Sequence, residues 1–82
     1  MILVDFIGHL MSTENEEELH KFAEERLGLR RGWFQMSDAS LKHPHYDLTT
    51  SRMIDKAIRS GAIQVSPAEL IRRAWWKGDK HE

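Results

Sequence analysis

Apolar residues fall in short bursts along this chain, and the spacing inside each burst assigns an element. Ile2, Leu3 and Val4 form an unbroken apolar run. Such runs suit a strand covered on both faces, so residues 1–5 read as a buried strand ending at Asp5. The next stretch, Phe6-Ile7-Gly8-His9-Leu10-Met11, fits two readings. The strand continues past a bulge at Gly8, or the chain turns there into a second strand. Leu19, Phe22, Ala23 and Leu27 then fall at i, i+3, i+4 and i+8, the face of a helix over 14–27. Thr13 followed by Glu16 matches a capping box, and Glu14, Glu16 and Glu17 lie at the positive end of the helix dipole. Gly28 stands where a left-handed residue closes a helix, with Leu29 as the apolar contact after it.

Residues 30–48 carry no sustained period. Trp33, Phe34 and Met36 fit a short strand or an aromatic plug, Ser37-Asp38-Ala39-Ser40 reads as a loop tip, and Pro44 turns His43 away from helical angles. Thr49 or Thr50 caps a second helix over 50–60, with Met53, Ile54, Ala57 and Ile58 as its buried stripe and Gly61 as its stop. Ala62-Ile63-Gln64-Val65 is a short strand. Ser66-Pro67-Ala68-Glu69 then combines a capping serine, proline at the first helical position and glutamate at the third. Leu70, Ile71, Ala74 and Trp75 give this third helix, over 67–76, its stripe. Short apolar strands alternating with helices predict an α/β fold: a small, mostly parallel sheet of two to three short strands covered by three helices. Residues 1–77 form a single small domain in this reading, and 78–82 a flexible tail.

Composition narrows the function more than the fold. At 82 residues the chain is near the lower end of what folds alone. A core this thin, with Trp75 and Trp76 close to the chain end, predicts self-association, as a homodimer. Twelve Lys+Arg against 13 Asp+Glu leave a formal net charge of -1. That balance provides no general attraction to a nucleic-acid polymer or an anionic membrane. The absence of cysteine excludes disulfides, iron–sulfur clusters and thiol nucleophiles. The N-terminal residues lack a basic region and no apolar run spans a membrane, so neither a signal peptide nor a membrane segment is expected.

The densest chemistry lies in His43-Pro44-His45-Tyr46-Asp47-Leu48. Histidine nitrogens and carboxylates bind divalent ions, and His43, His45 and Asp47 occupy alternating positions. In an extended segment such residues point the same way. Asp5 and His9, at or near a strand end, would complete the shell. This spacing matches no specific zinc signature, and a loop whose histidines cap the second helix or bond the backbone also accommodates it. A second reading is a small anionic ligand, phosphate-bearing or nucleotide-like. Thr49, Thr50 and Ser51 place hydroxyls at a helix N-terminus, where anions are favoured. Trp33 and Tyr46 offer flat faces for stacking, and Arg30 and Arg31 offer phosphate partners. There is no phosphate-binding glycine loop and no dinucleotide fingerprint. His20 borders the buried stripe of the first helix beside Glu24 and reads as a packing residue. His45 near Asp47 or Asp5 has the makings of a general base, and no serine sits in a nucleophile elbow. If the domain is an enzyme, metal-assisted hydrolysis of a phosphoester is the version that best uses these residues, but a module that binds the phosphate-bearing ligand through the His43–Asp47 loop needs fewer coincidences and comes first. The helix bearing Trp76 is the alternative, a protein-interaction surface.

A set of motifs ties these segments together. They are Val4-Asp5, His9-Leu10, Glu17-Glu18-Leu19-His20 with Phe22-Ala23, Gly28-Leu29, Trp33-Phe34-Gln35, His43 to Leu48, Gly61-Ala62 and Ser66 to Leu70. Together they resemble a short bacterial and phage domain family of unknown function. The resemblance covers nearly the whole chain and implies a shared fold and a shared site, without supplying a reaction. With no targeting segment, it implies a cytoplasmic location, bacterial or in the host of a phage.

Overall fold

Asp5 decides the first step of the topology. In the computed structural model, which describes residues 1–36 and 43–73, its Oδ1 accepts from the backbone N–H groups of Ile7 (3.1 Å), Gly8 (2.8 Å) and His9 (2.9 Å). A carboxylate that gathers three successive amides folds the chain back on itself. Strand β1 (Ile2–Val4) therefore returns directly as β2 (His9–Ser12). The two pair antiparallel, Leu3 opposite Met11 and Val4 opposite Leu10. Gly8 is required at this turn. Its φ is 114°, and a Cβ there would stand 2.2 Å from the Leu48 carbonyl oxygen.

Helix α1 (Glu16–Leu27) follows, then a 3-10 turn (Arg31–Trp33) and strands β3 (Phe34–Gln35) and β4 (His45–Asp47). Helix α2 (Ser51–Arg59), strand β5 (Ile63–Gln64) and helix α3 (Pro67–Arg73) complete the described chain. The strands form one sheet in the order β3-β4-β2-β1-β5. Among the described residues only β1 and β5 run parallel; the other three pairings are antiparallel.

The mostly parallel sheet of two to three strands is thus replaced by a mixed, mostly antiparallel sheet of five strands with three helices. Two causes account for the difference. Of the two readings open at Gly8, the turn into a second strand is the one found, and what selects it is one side chain's hydrogen bonds, which hydropathy does not register. Strand β4 alternates a phenol with two polar groups behind a proline, which mimics a loop.

The helices follow their caps. Thr50 Oγ1 accepts from Met53 N (3.2 Å) and Ser66 Oγ from Glu69 N (3.1 Å). Gly28 is left-handed at φ 70°, and Leu29 N reaches back to Ala23 O (2.9 Å). At the start of α1 the cap is Asn15, whose Oδ1 accepts from Glu18 N (2.7 Å), in place of the expected Thr13. Ser12 Oγ takes the preceding amides of Glu14 (2.8 Å) and Asn15 (3.2 Å) and donates to the Glu18 carboxylate. The helix expected over 67–76 is described to Arg73. Trp75, Trp76, the tail 78–82 and the loop tip 37–40 lie outside the described residues.

The sheet separates two cores. Ile2, Val4, Leu10 and Tyr46 meet Leu19, Ala23 and Leu27 of α1 and Ala57 of α2 on one face. Leu3 and Met11 meet Leu70 of α3 on the other, with Val65 and Ile71 at the margin. Among the described residues no helix is long and apolar enough to cross a membrane.

Candidate metal centre

Register alone brings three polar side chains together. His9 of β2 is directly opposite Asp47 of β4. Residues facing one another across antiparallel strands share a sheet face, and so do residues two apart along a strand. His9, His45 and Asp47 therefore project from one face, the face that carries Leu3 and Met11. His45 Nε2 lies 3.2 Å from Asp47 Oδ1, and His9 Nε2 lies 4.0 Å from the same oxygen. The imidazoles meet edge to face with centroids 5.4 Å apart. One ligand atom from each of the three residues lies within 4.8 Å of the other two. This cluster is capable of coordinating a divalent metal.

The hydrogen bonds behind the rings suit that task. His9 Nδ1 is 2.9 Å from Asp5 Oδ2, and His45 Nδ1 is 2.5 Å from the main-chain oxygen of His43. A carbonyl cannot donate, and Asp5 is an acceptor for three amides already, so each Nδ1 carries the proton. Nε2 is then the nitrogen that bears the lone pair, on the side of each ring that faces Asp47, the tautomer of a metal-binding histidine oriented by an outer carboxylate or carbonyl. A divalent ion held between the three groups would pair both lone pairs and the Asp47 carboxylate with one cation. The environment is asymmetric. His45 is fully buried and the His9 side chain is 7% exposed, whereas that of Asp47 is 39% exposed. The centre opens to solvent on the carboxylate side. There it adjoins a cleft of about 370 Å³ lined by Gly32, Trp33, Gln35, Asp47 and Thr49.

The remaining sequence candidates divide between this centre and other places. Asp5 is wholly buried and serves both the turn and His9. His43 gives its carbonyl to His45. Thr50 caps α2, while Thr49 lines the cleft with its hydroxyl 4.0 Å from Met53 Sδ. Trp33 is 46% exposed over the cleft. Arg31 is drawn away, its Nε donating to Glu24 Oε2 at 2.8 Å. That bond holds the Glu24 carboxyl below its ordinary pKa and the Arg31 guanidinium above its own.

Tyr46 stands on the opposite face, because adjacent residues in a strand point to opposite sides. Its hydroxyl is 2.7 Å from His20 Nδ1, and His20 Nε2 is 3.2 Å from Glu16 Oε1. A neutral His20 satisfies both contacts when the phenol donates to Nδ1 and Nε2–H donates to Glu16. Burial, and then the negative charge of Glu24, push the Tyr46 phenol above its ordinary pKa. The carboxylate that His20 meets one turn away is Glu16. The Glu16–His20 spacing of i, i+4 was the available signal. Gly32 and Gln35 are the lining residues to which sequence reasoning gave no site role; the place of Gln35 opposite His45 emerges only from the pairing of β3 with β4.

Comparison with curated proteins and with solved structures returns no match. Residues 4–77 match the family described as protein of unknown function (DUF4031), a span that contains the whole cluster and every cleft-lining residue. The chain belongs to the DUF4031 family.

Proposed function

We propose that this domain is a metal-dependent phosphoester hydrolase whose single divalent ion is held by His9, His45 and Asp47. The observation that carries the reading is the orientation of both histidines, each with Nδ1 engaged by an acceptor and Nε2 turned toward a shared carboxylate. Structural zinc sites close their coordination with four protein ligands, whereas catalytic sites use three and leave room for water or substrate. Two histidines and one carboxylate, with the carboxylate side toward a cleft, fit the second type. A divalent ion there would polarise a phosphoryl oxygen and lower the pKa of water. The chain's own residues orient the ligands through Asp5 and the His43 carbonyl. They shield the imidazole side from solvent and place the Thr49–Thr50 segment, at the N-terminus of α2, beside the cleft. That end of a helix favours an anionic substrate group.

The test is calorimetric and then kinetic. Chelator-treated protein is titrated with Zn²⁺ and with Mn²⁺, and the loaded protein is assayed with bis(p-nitrophenyl) phosphate. One ion per chain is expected, with binding lost in His45→Ala and Asp47→Ala variants that keep their circular dichroism. Turnover should require the ion. Failure of both metals to bind rejects the centre. Tight metal binding with no hydrolysis rejects the hydrolase and leaves a metal-binding domain.

A further inference from the structure

Resting on the reading of the metal centre just given, we propose that its substrates are nucleotides, with the base stacked on Trp33 and the phosphate directed to the cluster and Thr49. An exposed tryptophan alone says little, since single surface aromatics are common. Its position is what matters. Trp33 and Asp47 line one cleft, so a flat group against the indole lies in the same recess as a ligand of the proposed ion. Gln35 lines that cleft too, opposite His45 across the β3–β4 pair. Its amide presents both donors and an acceptor, which matches the edge of a nucleobase rather than a plain hydrocarbon ring. Thr49, the residue before the α2 cap, lines the cleft as well.

Stacking face, edge-reading amide, metal ligand and threonine thus converge on one recess. Its volume of about 370 Å³ lies near the lower end of small-molecule sites. That suits a mononucleotide better than a dinucleotide. The net charge of -1 also supplies no field to hold a polymer.

The test compares adenosine 5′-monophosphate, ribose 5-phosphate and inorganic phosphate by calorimetry on the full chain, with and without Zn²⁺. Removing a stacked base typically weakens binding about 5- to 160-fold. The nucleotide should therefore bind about tenfold or more tighter than ribose 5-phosphate. Trp33→Ala should erase that difference and Trp33→Phe retain much of it, while both variants bind Zn²⁺ like the parent. Equal affinity for the two phosphates in the parent overturns the proposal, as does binding of neither, or a difference that survives Trp33→Ala. If Zn²⁺ does not bind but the Trp33-dependent difference persists, the nucleotide site stands and the metal reading falls. If Zn²⁺ binds and the difference is absent, the converse holds.

Discussion

Substituting Asp5 separates the two tasks its carboxylate performs. Asp5→Ala removes the acceptor of three amides and the partner of His9 Nδ1 in one step. A buried N–H left without a partner costs about 1–3 kcal/mol. Gly8 N retains a 3.2 Å contact to the Asp5 main-chain oxygen, so a total near 3–5 kcal/mol is expected. A chain of this size has roughly 4–12 kcal/mol of stability, and such a loss would blur folding with metal binding.

Asp5→Asn is the sharper experiment. The amide oxygen must keep the side facing the three N–H groups, because the NH₂ group there would oppose three donors. A neutral acceptor is weaker, and the expected loss of stability is about 1–2 kcal/mol. The NH₂ group then faces His9 Nδ1. His9 satisfies it only by moving its proton to Nε2, which closes that nitrogen to a metal ion. Zinc affinity should fall about 10- to 100-fold, with the fold intact by circular dichroism. In a melting experiment at fixed excess Zn²⁺, the metal-dependent rise should shrink by about 1.4–2.7 kcal/mol. At about 5 °C per kcal/mol this is roughly 7–14 °C. Zinc affinity in Asp5→Asn within about twofold of the parent would refute the tautomer argument.

Three further outcomes are expected. Gly8→Ala places a methyl 2.2 Å from Leu48 O at φ 114°; it should cost about 3 kcal/mol or more in urea unfolding, and an unchanged midpoint would contradict the turn geometry. Tyr46 is the sole tyrosine, so tyrosinate absorbance reports it alone. Its raised pKa means that its contribution to stability is complete below pH 10, the ordinary value, and is lost as pH rises through the folded-state pKa. Its titration midpoint should exceed that of free tyrosine, and Tyr46→Phe should lack the matching alkaline loss of stability. Leu70→Ala should cost about 2–5 kcal/mol, because Leu70 is fully buried against Leu3 and Met11. At low temperature it should still bind one Zn²⁺ per chain, and loss of that stoichiometry would mean that α3 shapes the centre.

The helices are legible in the sequence because their stripes and caps are local. Ser66 with Glu69, Thr50 with Met53 and Gly28 with Leu29 act within a few residues. Strand β5 is legible as an apolar run between two caps. Its parallel pairing with β1 is the part of the α/β expectation that the sheet retains. Strand β4 is not legible, since His45, Tyr46 and Asp47 are all polar-capable and their alternation has meaning only beside β2. For the same reason, His45 and Asp47 stand out as potential ligands from composition. The role of His9 depends on a hairpin set by Asp5, and the recess under Trp33 depends on a strand of two residues.

Strand β4 interleaves two interests within three residues. Tyr46 belongs to the core beneath α1, while its neighbours His45 and Asp47 belong to the metal centre. A slip of one position against β2 would turn the phenol toward the ligands and bury the carboxylate among leucines. If the cluster holds an ion that binds only the correct arrangement, that ion would proofread the fold. It would withdraw correctly paired chains from the pool of slipped ones by mass action. The stability of the sheet would then track the free supply of metal, and scarcity of the ion would surface as misfolded protein.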